Sequence, residues 1–159
     1  MKNYIDMVLD GIDKKIIRML IENSRRPIIE IGKSIGISGA AIHQRLKKLE
    51  KKNFITSSTI KVNTKVLGYN TLAFIGIFLE KATDNKTVVS QLKNIPEILE
   101  CHFTTGDWSI LAKLLCKDNE DLMKILTSKI QTIKGISRTE TYISLDQQIE
   151  RQIKIWFLR

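Results

Sequence analysis

Two apolar helical stripes separated by only three residues constrain this chain more than any other feature. Ile28, Ile31 and Ile35 recur on one face of a helix that Pro27 opens at its first position, where no N–H is needed. Gly36 follows at the place where a helix commonly ends on a left-handed residue. Ser38 then caps a further helix, with Ile42, Leu46 and Leu49 as its stripe and an end near Lys52. The connecting Gly36-Ile37-Ser38 has the length of the tight turn in a helix-turn-helix. An earlier helix carries Leu9, Ile12, Ile16, Met19 and Leu20. Asp10 is its candidate N-cap, and Asp13 adds negative charge to its first turn. Asn23-Ser24-Arg25-Arg26 breaks that pattern.

On a wheel of ~100° per residue, with Ile42 at the core centre, Ala40, Gln44, Lys47 and Lys51 point outward and His43 lies at the flank. That face is small at its start, amide in its middle and basic at its end. It suits a helix entering the major groove of double-stranded DNA by its amino-terminal end. Ser38, Gly39 and Ala40 let the backbone approach, Gln44 can donate to and accept from an adenine edge, and His43 flanks them. Lys47 and Lys48, with Arg25 and Arg26 ahead of the second helix, are candidate phosphate contacts. Arg45 is placed either to lock helices together or to reach a phosphate. Gly32-Lys33-Ser34 is no phosphate loop, because Pro27 occupies the position where that loop needs its first glycine.

The charge is uneven. Residues 1–66 hold 14 Lys/Arg against 6 Asp/Glu, whereas residues 67–159 hold 12 against 11, within a formal net charge of +9. A basic front half and a neutral back half point to two modules, the first facing a polyanion. With 43% hydrophobic residues the chain can bury enough surface to offset its ordering entropy, which excludes a disordered basic tail. No apolar run approaches the ~20 residues that span a bilayer, and the start shows no export signal. The two cysteines lack metal-ligand spacing, so no metal and no cofactor is expected, and a cytoplasmic, nucleoid-associated location is.

Thr59-Ile60-Lys61-Val62 alternates polar and apolar, a short connector strand able to form a wing or to pair across a dimer. Four strands follow, near Thr71–Glu80, Ile98–Thr104, Trp108–Cys116 and Ile136–Leu145. A helix with Val88, Val89, Leu92 and Ile95 lies between the first two. A helix capped by Asp118 or Asn119 and ended by Gly135 lies between the last two. Thr105-Gly106-Asp107 forms a tight turn, and Ile153–Leu158 can add an edge strand. The order is a ferredoxin-like βαββαβ sandwich. The expected fold is therefore α+β: a winged-helix-like helix-turn-helix domain over 1–56, a connector over 57–70 and a ferredoxin-like domain over 71–159. Both helices cover one sheet face, and the first strand is apolar on both sides. The bare face calls for a second copy, hence a symmetric dimer that presents two recognition helices.

Cys101 and Cys116 read as buried strand cysteines. A hairpin about Gly106-Asp107 sets Cys101 opposite the region of Ala112, too far from Cys116 to bridge. His102 stands mid-strand without the spacing of a triad and reads as structural, so no catalysis is expected. Trp108 at the turn fits either a ligand platform or a dimer contact.

Read together, Leu9-Asp10…Asp13, Asn23-Ser24-Arg25-Arg26, Ile35-Gly36-Ile37-Ser38 and Arg45-Leu46…Leu49-Glu50 form an ordered series. Pro96-Glu97-Ile98…Glu100-Cys101-His102, Thr105-Gly106-Asp107-Trp108 and Lys134-Gly135-Ile136 continue it. In that order the chain resembles the Lrp/AsnC (feast/famine) transcription regulators over nearly its whole length. The resemblance implies DNA binding by the front domain and assembly of dimers into tetramers, octamers or larger bodies by the back domain. It also implies an amino-acid pocket between dimers, built here from Gly106, Asp107, Trp108 and Ser109, with Thr139 and Thr141 from the other side. The family usually has an aspartate where Ser109 stands. Asp107 takes over that role, or the chain senses another effector or none. Two rivals share the scaffold: a low-specificity, chromatin-like DNA organiser, and an enzyme like the sirohaem decarboxylases, for which His43 and His102 are the only histidines.

Overall fold

A computed structural model describes residues 9–151, which divide into two compact units: 9–61 with 150 and 151, and 62–149. The first unit is three helices, α1 (Gly11–Glu22), α2 (Ile28–Ile35) and α3 (Gly39–Lys51). Local chemistry sets their ends. The Asp10 carboxylate accepts from the Asp13 N–H at 2.8 Å and caps α1. Gly36 is left-handed at φ 82° and donates its N–H back to the Gly32 carbonyl, closing α2. The Ser38 hydroxyl accepts from the Ala41 N–H at 3.2 Å and opens α3. Pro27 sits one position earlier than expected. Its ψ of 135° makes it the cap, and Ile28 is the first helical residue. The stripes meet in a core of Leu9, Ile16, Ile17, Ile31, Ile42 and Leu49, with Leu46, Phe54 and Ile55 packed on its edge.

The connector differs from expectation. Residues 56–63 have no regular secondary structure and join no sheet, so the strand at Thr59–Val62 is not formed among the described residues. The alternation is there, with Ile60 and Val62 exposed. A strand also needs a neighbour for its N–H and C=O groups, and none is found among the described residues.

The second unit has β1 (Thr71–Leu79), a short 3₁₀ turn, α4 (Asn85–Leu92), β2 (Ile98–Phe103), β3 (Ile110–Cys116), α5 (Asn119–Ile125) and β4 (Ile136–Ile143). A single π-helical turn, Leu126–Ile130, extends α5. Asp118 is the residue that caps α5, accepting from the Asp121 N–H at 2.8 Å. The sheet is antiparallel in the order β2-β3-β1-β4, the ferredoxin-like arrangement. Alternate residues of the two central strands, Ala73, Ile75, Ile77, Ile110, Ala112, Leu114 and Cys116, pack under α4 and α5 against Val88, Leu92, Leu122 and Ile125. Burying each large aliphatic side chain here contributes about 1.5–3 kcal/mol. The opposite face carries Leu72, Phe74, Phe78, Leu111 and Leu115, all only half-buried. The strand apolar on both sides is thus β1, covered on one side by helices.

The bounds of the third and fourth strands shift. The third strand begins at Ile110, not Trp108, because residues 104–109 form a wider turn than Thr105-Gly106-Asp107 alone. Thr104 N–H donates to the Ser109 carbonyl, and Ser109 N–H donates to the Ile77 carbonyl, so the turn closes onto β1. The fourth strand ends at Ile143, two residues early. The edge strand expected at Ile153–Leu158 lies outside the described residues. No helix among the described residues is long and apolar enough to cross a membrane.

Candidate nucleic-acid interface and effector turn

The outer side of α3 is as the wheel requires. Ala40, His43, Gln44, Lys47 and Lys51 are exposed, Ser38 is exposed at the cap, and Gly39 is half-buried. Arg25 is exposed just before α2, its N–H donating to the Asn23 side chain at 3.0 Å. Arg26 is half-buried and pairs with Glu22 at 3.7 Å. Of the nine expected contacts, Arg25, Ser38, Ala40, His43, Gln44 and Lys47 are thus open to a partner, and Gly39 and Arg26 less so.

Lys48 and Arg45 are placed differently. Both lie on the flank of α3 that faces α1. Arg45 Nη1 donates to Asp10 Oδ2 and to Asp13 Oδ1, each at 2.6 Å. Arg45 is therefore a lock between helices rather than a free phosphate contact. Lys48, expected on DNA, has its amine 3.6 Å from Asp13 Oδ2. Asp13 itself is fully buried. The Asp10 hydrogen bond, then that of Asp13, raises the Arg45 pKa against the opposing effect of burial. At Asp10, burial pushes the carboxyl upward, but the Asp13 N–H and the Arg45 guanidinium outweigh it and hold it below the usual aspartate value. The sequence signal for Asp13 was its place in the apolar stripe, three and four residues before Ile16 and Ile17.

In the second unit the turn 104–109 is tied down by Trp108. Its indole lies over Gly76 on the open sheet face. A Cβ at Gly76 would meet the ring at 2.5 Å. Trp108 Nε1 donates to Glu140 Oε2 at 2.8 Å, and the ring lies 5.7 Å from that of Tyr142. The Trp108 hydrogen bond holds the Glu140 carboxyl below the usual glutamate value despite desolvation, with Tyr142 and Arg138 adding to it. The Thr104 hydroxyl donates to the Trp108 carbonyl, bracing the turn from inside. Gly106 and Asp107 are exposed at its tip, and Ser109 is half-buried.

Thr139 and Thr141 pair with Ile77 and Ile75, so they face the helix-covered side. Gln131 donates to the Thr139 hydroxyl at 3.0 Å there. Within one chain the two halves of the expected effector pocket lie on opposite faces and do not converge. A shallow depression of about 400 Å³ lies elsewhere, between α4 and β2, on Lys86, Val89, Lys93, Cys101 and Phe103. None of the expected effector residues lines it.

The cysteines split. Cys101 is opposite Ala112, as the hairpin register requires, but it is exposed rather than buried. The reason is strand order: β2 is an edge. Cys116 is buried, and burial, then the nearby carboxylates of Asp121, Glu97 and Asp118, pushes its thiol to about 11. A thiol-reactive disulfide reagent at neutral pH is expected to label one cysteine quickly, Cys101, and the second only on unfolding. Rapid labelling of two thiols in the folded protein would contradict the packing of β3. His102 is exposed, 3.4 Å from Glu100.

A profile described as the Lrp/AsnC ligand binding domain matches residues 72–153, and one described as a winged helix-turn-helix DNA-binding domain matches residues 9–56. Regulatory protein AsnC of Escherichia coli is 38% identical over 97% of this chain and 99% of its own length. The HTH-type transcriptional regulator FL11 of Pyrococcus furiosus is 41% identical over 87% of this chain and 90% of its own. The solved structure of E. coli AsnC superposes with a TM-score of 0.86 at 38% identity, covering 91% of this chain and 97% of that one. A transcriptional regulator from Neisseria meningitidis, solved as a complex with L-Met, shares the fold. Its TM-score is 0.88 at 22% identity over 95% of this chain and 99% of its own.

Proposed function

The chain belongs to the Lrp/AsnC family and is a helix-turn-helix transcriptional regulator; from that premise we propose that α3 enters the major groove by its amino-terminal end. The observation that carries this is the solvent side of α3, where Gln44 and Lys47 stand exposed along one line while Arg45 anchors the opposite flank to α1. Gln44 reads a base edge, and Lys47, Lys51 and Arg25 take phosphates. The protein acts in the cytoplasm as a homodimer, its two copies burying the half-covered apolar sheet face and presenting two α3 helices to a twofold site.

The test is a salt titration of DNA affinity for the wild type and two variants. Lys47→Ala is expected to weaken binding to every sequence alike and to flatten the log–log salt slope by about 0.9, the equivalent of one phosphate contact. Gln44→Ala is expected to leave that slope alone and to cost about 1–3 kcal/mol of discrimination at one base pair. Unchanged binding in both variants would remove α3 from the interface.

For the second unit we propose modulation by an amino acid held at the turn 104–109 of one dimer, with Thr139 and Thr141 contributed by a neighbouring one. Turn N–H groups suit the carboxylate, and Asp107 suits the ammonium group. Support comes from the exposed tip at Gly106 and Asp107 beside a fixed Trp108, and from the shared fold with the N. meningitidis regulator solved with L-Met.

A further inference from the structure

Four charged groups meet where α1 packs on α3, one of them buried and the others reaching solvent. Asp13 is sealed from solvent, and one of its oxygens takes Arg45 at 2.6 Å. The other, Oδ2, has no hydrogen-bond partner, and the Lys48 amine stands 3.6 Å from it. Asp10 takes the same Arg45 nitrogen at 2.6 Å. Two carboxylates thus face two cations, and the cluster is neutral only when Lys48 is in it. Arg45 stays on Oδ1 whatever Lys48 does, but withdrawing Lys48 leaves Oδ2 buried with neither a hydrogen bond nor that cation beside it, an unfavourable state in an interior that provides no water in its place. The Lys48 side chain is 49% accessible, so exposure alone would let it swing to a phosphate. The cost of baring Asp13 Oδ2 holds it back.

We infer that Asp13 is a specificity-determining residue that withholds Lys48 from the DNA backbone, while Arg45 is held by Asp10 as well and stays in place. Phosphate contacts add affinity without sequence information. Keeping Lys48 occupied inside the unit therefore lowers the helix's hold on arbitrary duplex while leaving Gln44 and Lys47 free. The inference rests on the reading that α3 lies against DNA, and it removes Lys48 from the set of phosphate contacts.

The experiment compares salt slopes on a short duplex of arbitrary sequence for the full chain, Lys48→Met, Asp13→Asn and the double variant. Lys48→Met keeps the aliphatic stem and leaves Arg45 on Asp13; its slope is expected to equal that of the wild type. Asp13→Asn frees Lys48, so the slope steepens by about 0.9 and affinity for arbitrary duplex rises several-fold. The double variant returns to the wild-type slope. A slope flatter by about 0.9 in Lys48→Met alone overturns the inference, since Lys48 is then an ordinary phosphate contact. An unchanged slope in a folded Asp13→Asn protein overturns it as well. Should Asp13→Asn fail to fold, Lys48→Met decides by itself. A wild-type slope near zero would sink the DNA reading of α3, a result distinguishable from either.

Discussion

Gly32→Val is expected to open the amino-terminal unit and abolish DNA binding at concentrations where the wild type is saturated. Gly32 lies inside α2, is buried, and donates nothing by way of a side chain. Its carbonyl accepts from both Gly36 N–H, at 2.9 Å, and Ile37 N–H, at 3.0 Å. A Cβ there would stand 2.6 Å from the Ile37 carbonyl oxygen, with the Ser38 carbonyl carbon and the Gly39 nitrogen at 3.6 Å. These are backbone atoms at the start of α3, so no rotamer change relieves the clash. The turn itself has to move. Overpacking costs about 1–3 kcal/mol, and a β-branched residue at a backbone contact falls at the upper end. Alanine makes the same clash but recovers about 1 kcal/mol of helix propensity, so Gly32→Ala should fall between valine and wild type. Gly36 supplies a contrasting control. It has open space around its Cβ position, and only its φ of 82° resists substitution. Gly36→Asn, which tolerates that conformation, should therefore be nearly silent. Hydrogen exchange of the α2 and α3 amides reads this unit separately from the sheet. Wild-type exchange and DNA affinity in Gly32→Val would show that the close approach of α2 to the turn is not what positions α3.

The helix-turn-helix was legible because its determinants are local. Asp10, Ser38 and Gly36 each act within a few residues of themselves, and the stripes from Leu9 to Leu49 have the period of the helix they form. The strand order followed from the alternation of elements once each strand was recognised. What the sequence hid was long-range. Asp13 reads as first-turn acidity until α3 is laid beside it and Arg45, 32 positions away, takes its oxygen. Cys101 and Cys116 both fall in segments that read as strand, yet one lies on edge strand β2 and the other on central strand β3. Thr59–Val62 has the pattern of a strand, but pairing is a property of two segments, and the second is not in the described chain. Trp108 continues an apolar run and so reads as strand. Its place after the exit into the turn depends on Gly76, 32 residues earlier on β1, whose missing side chain leaves the space the indole fills.

That pairing of Gly76 with Trp108 makes the second large prediction. Gly76→Ala is expected to expel the indole from the sheet, because a methyl group would meet Cδ1, Cγ and Nε1 at 2.5–2.6 Å. The ring base is among the clashing atoms, so the whole side chain must leave rather than tilt. Expulsion breaks the hydrogen bond to Glu140 at 2.8 Å and the ring contact with Tyr142. It also frees a turn that closes onto β1 beside Ile77. The stability loss should be about 1–3 kcal/mol. The spectroscopic change should be larger than that suggests. In a Trp156→Phe background, Trp108 emission is expected to shift to the red and to become open to acrylamide. Acid adds a sign. Because Trp108 depresses the Glu140 pKa, the carboxylate partner persists in wild type as pH falls below the usual glutamate value of 4.5 and is lost only below it. The emission change on acidification should therefore come lower in wild type than the range of an ordinary glutamate, and should be absent in Gly76→Ala. Glu140→Gln in the wild-type chain should remove the same acid transition, yet add nothing to Gly76→Ala, since the bond it weakens is already broken. If Gly76→Ala keeps a blue, shielded emission with an intact acid transition, Trp108 is not seated on Gly76. The turn 104–109 would then be held on the sheet only through its backbone bond to Ile77 among the contacts described, and the structural support for placing an effector beside a fixed Trp108 would be lost.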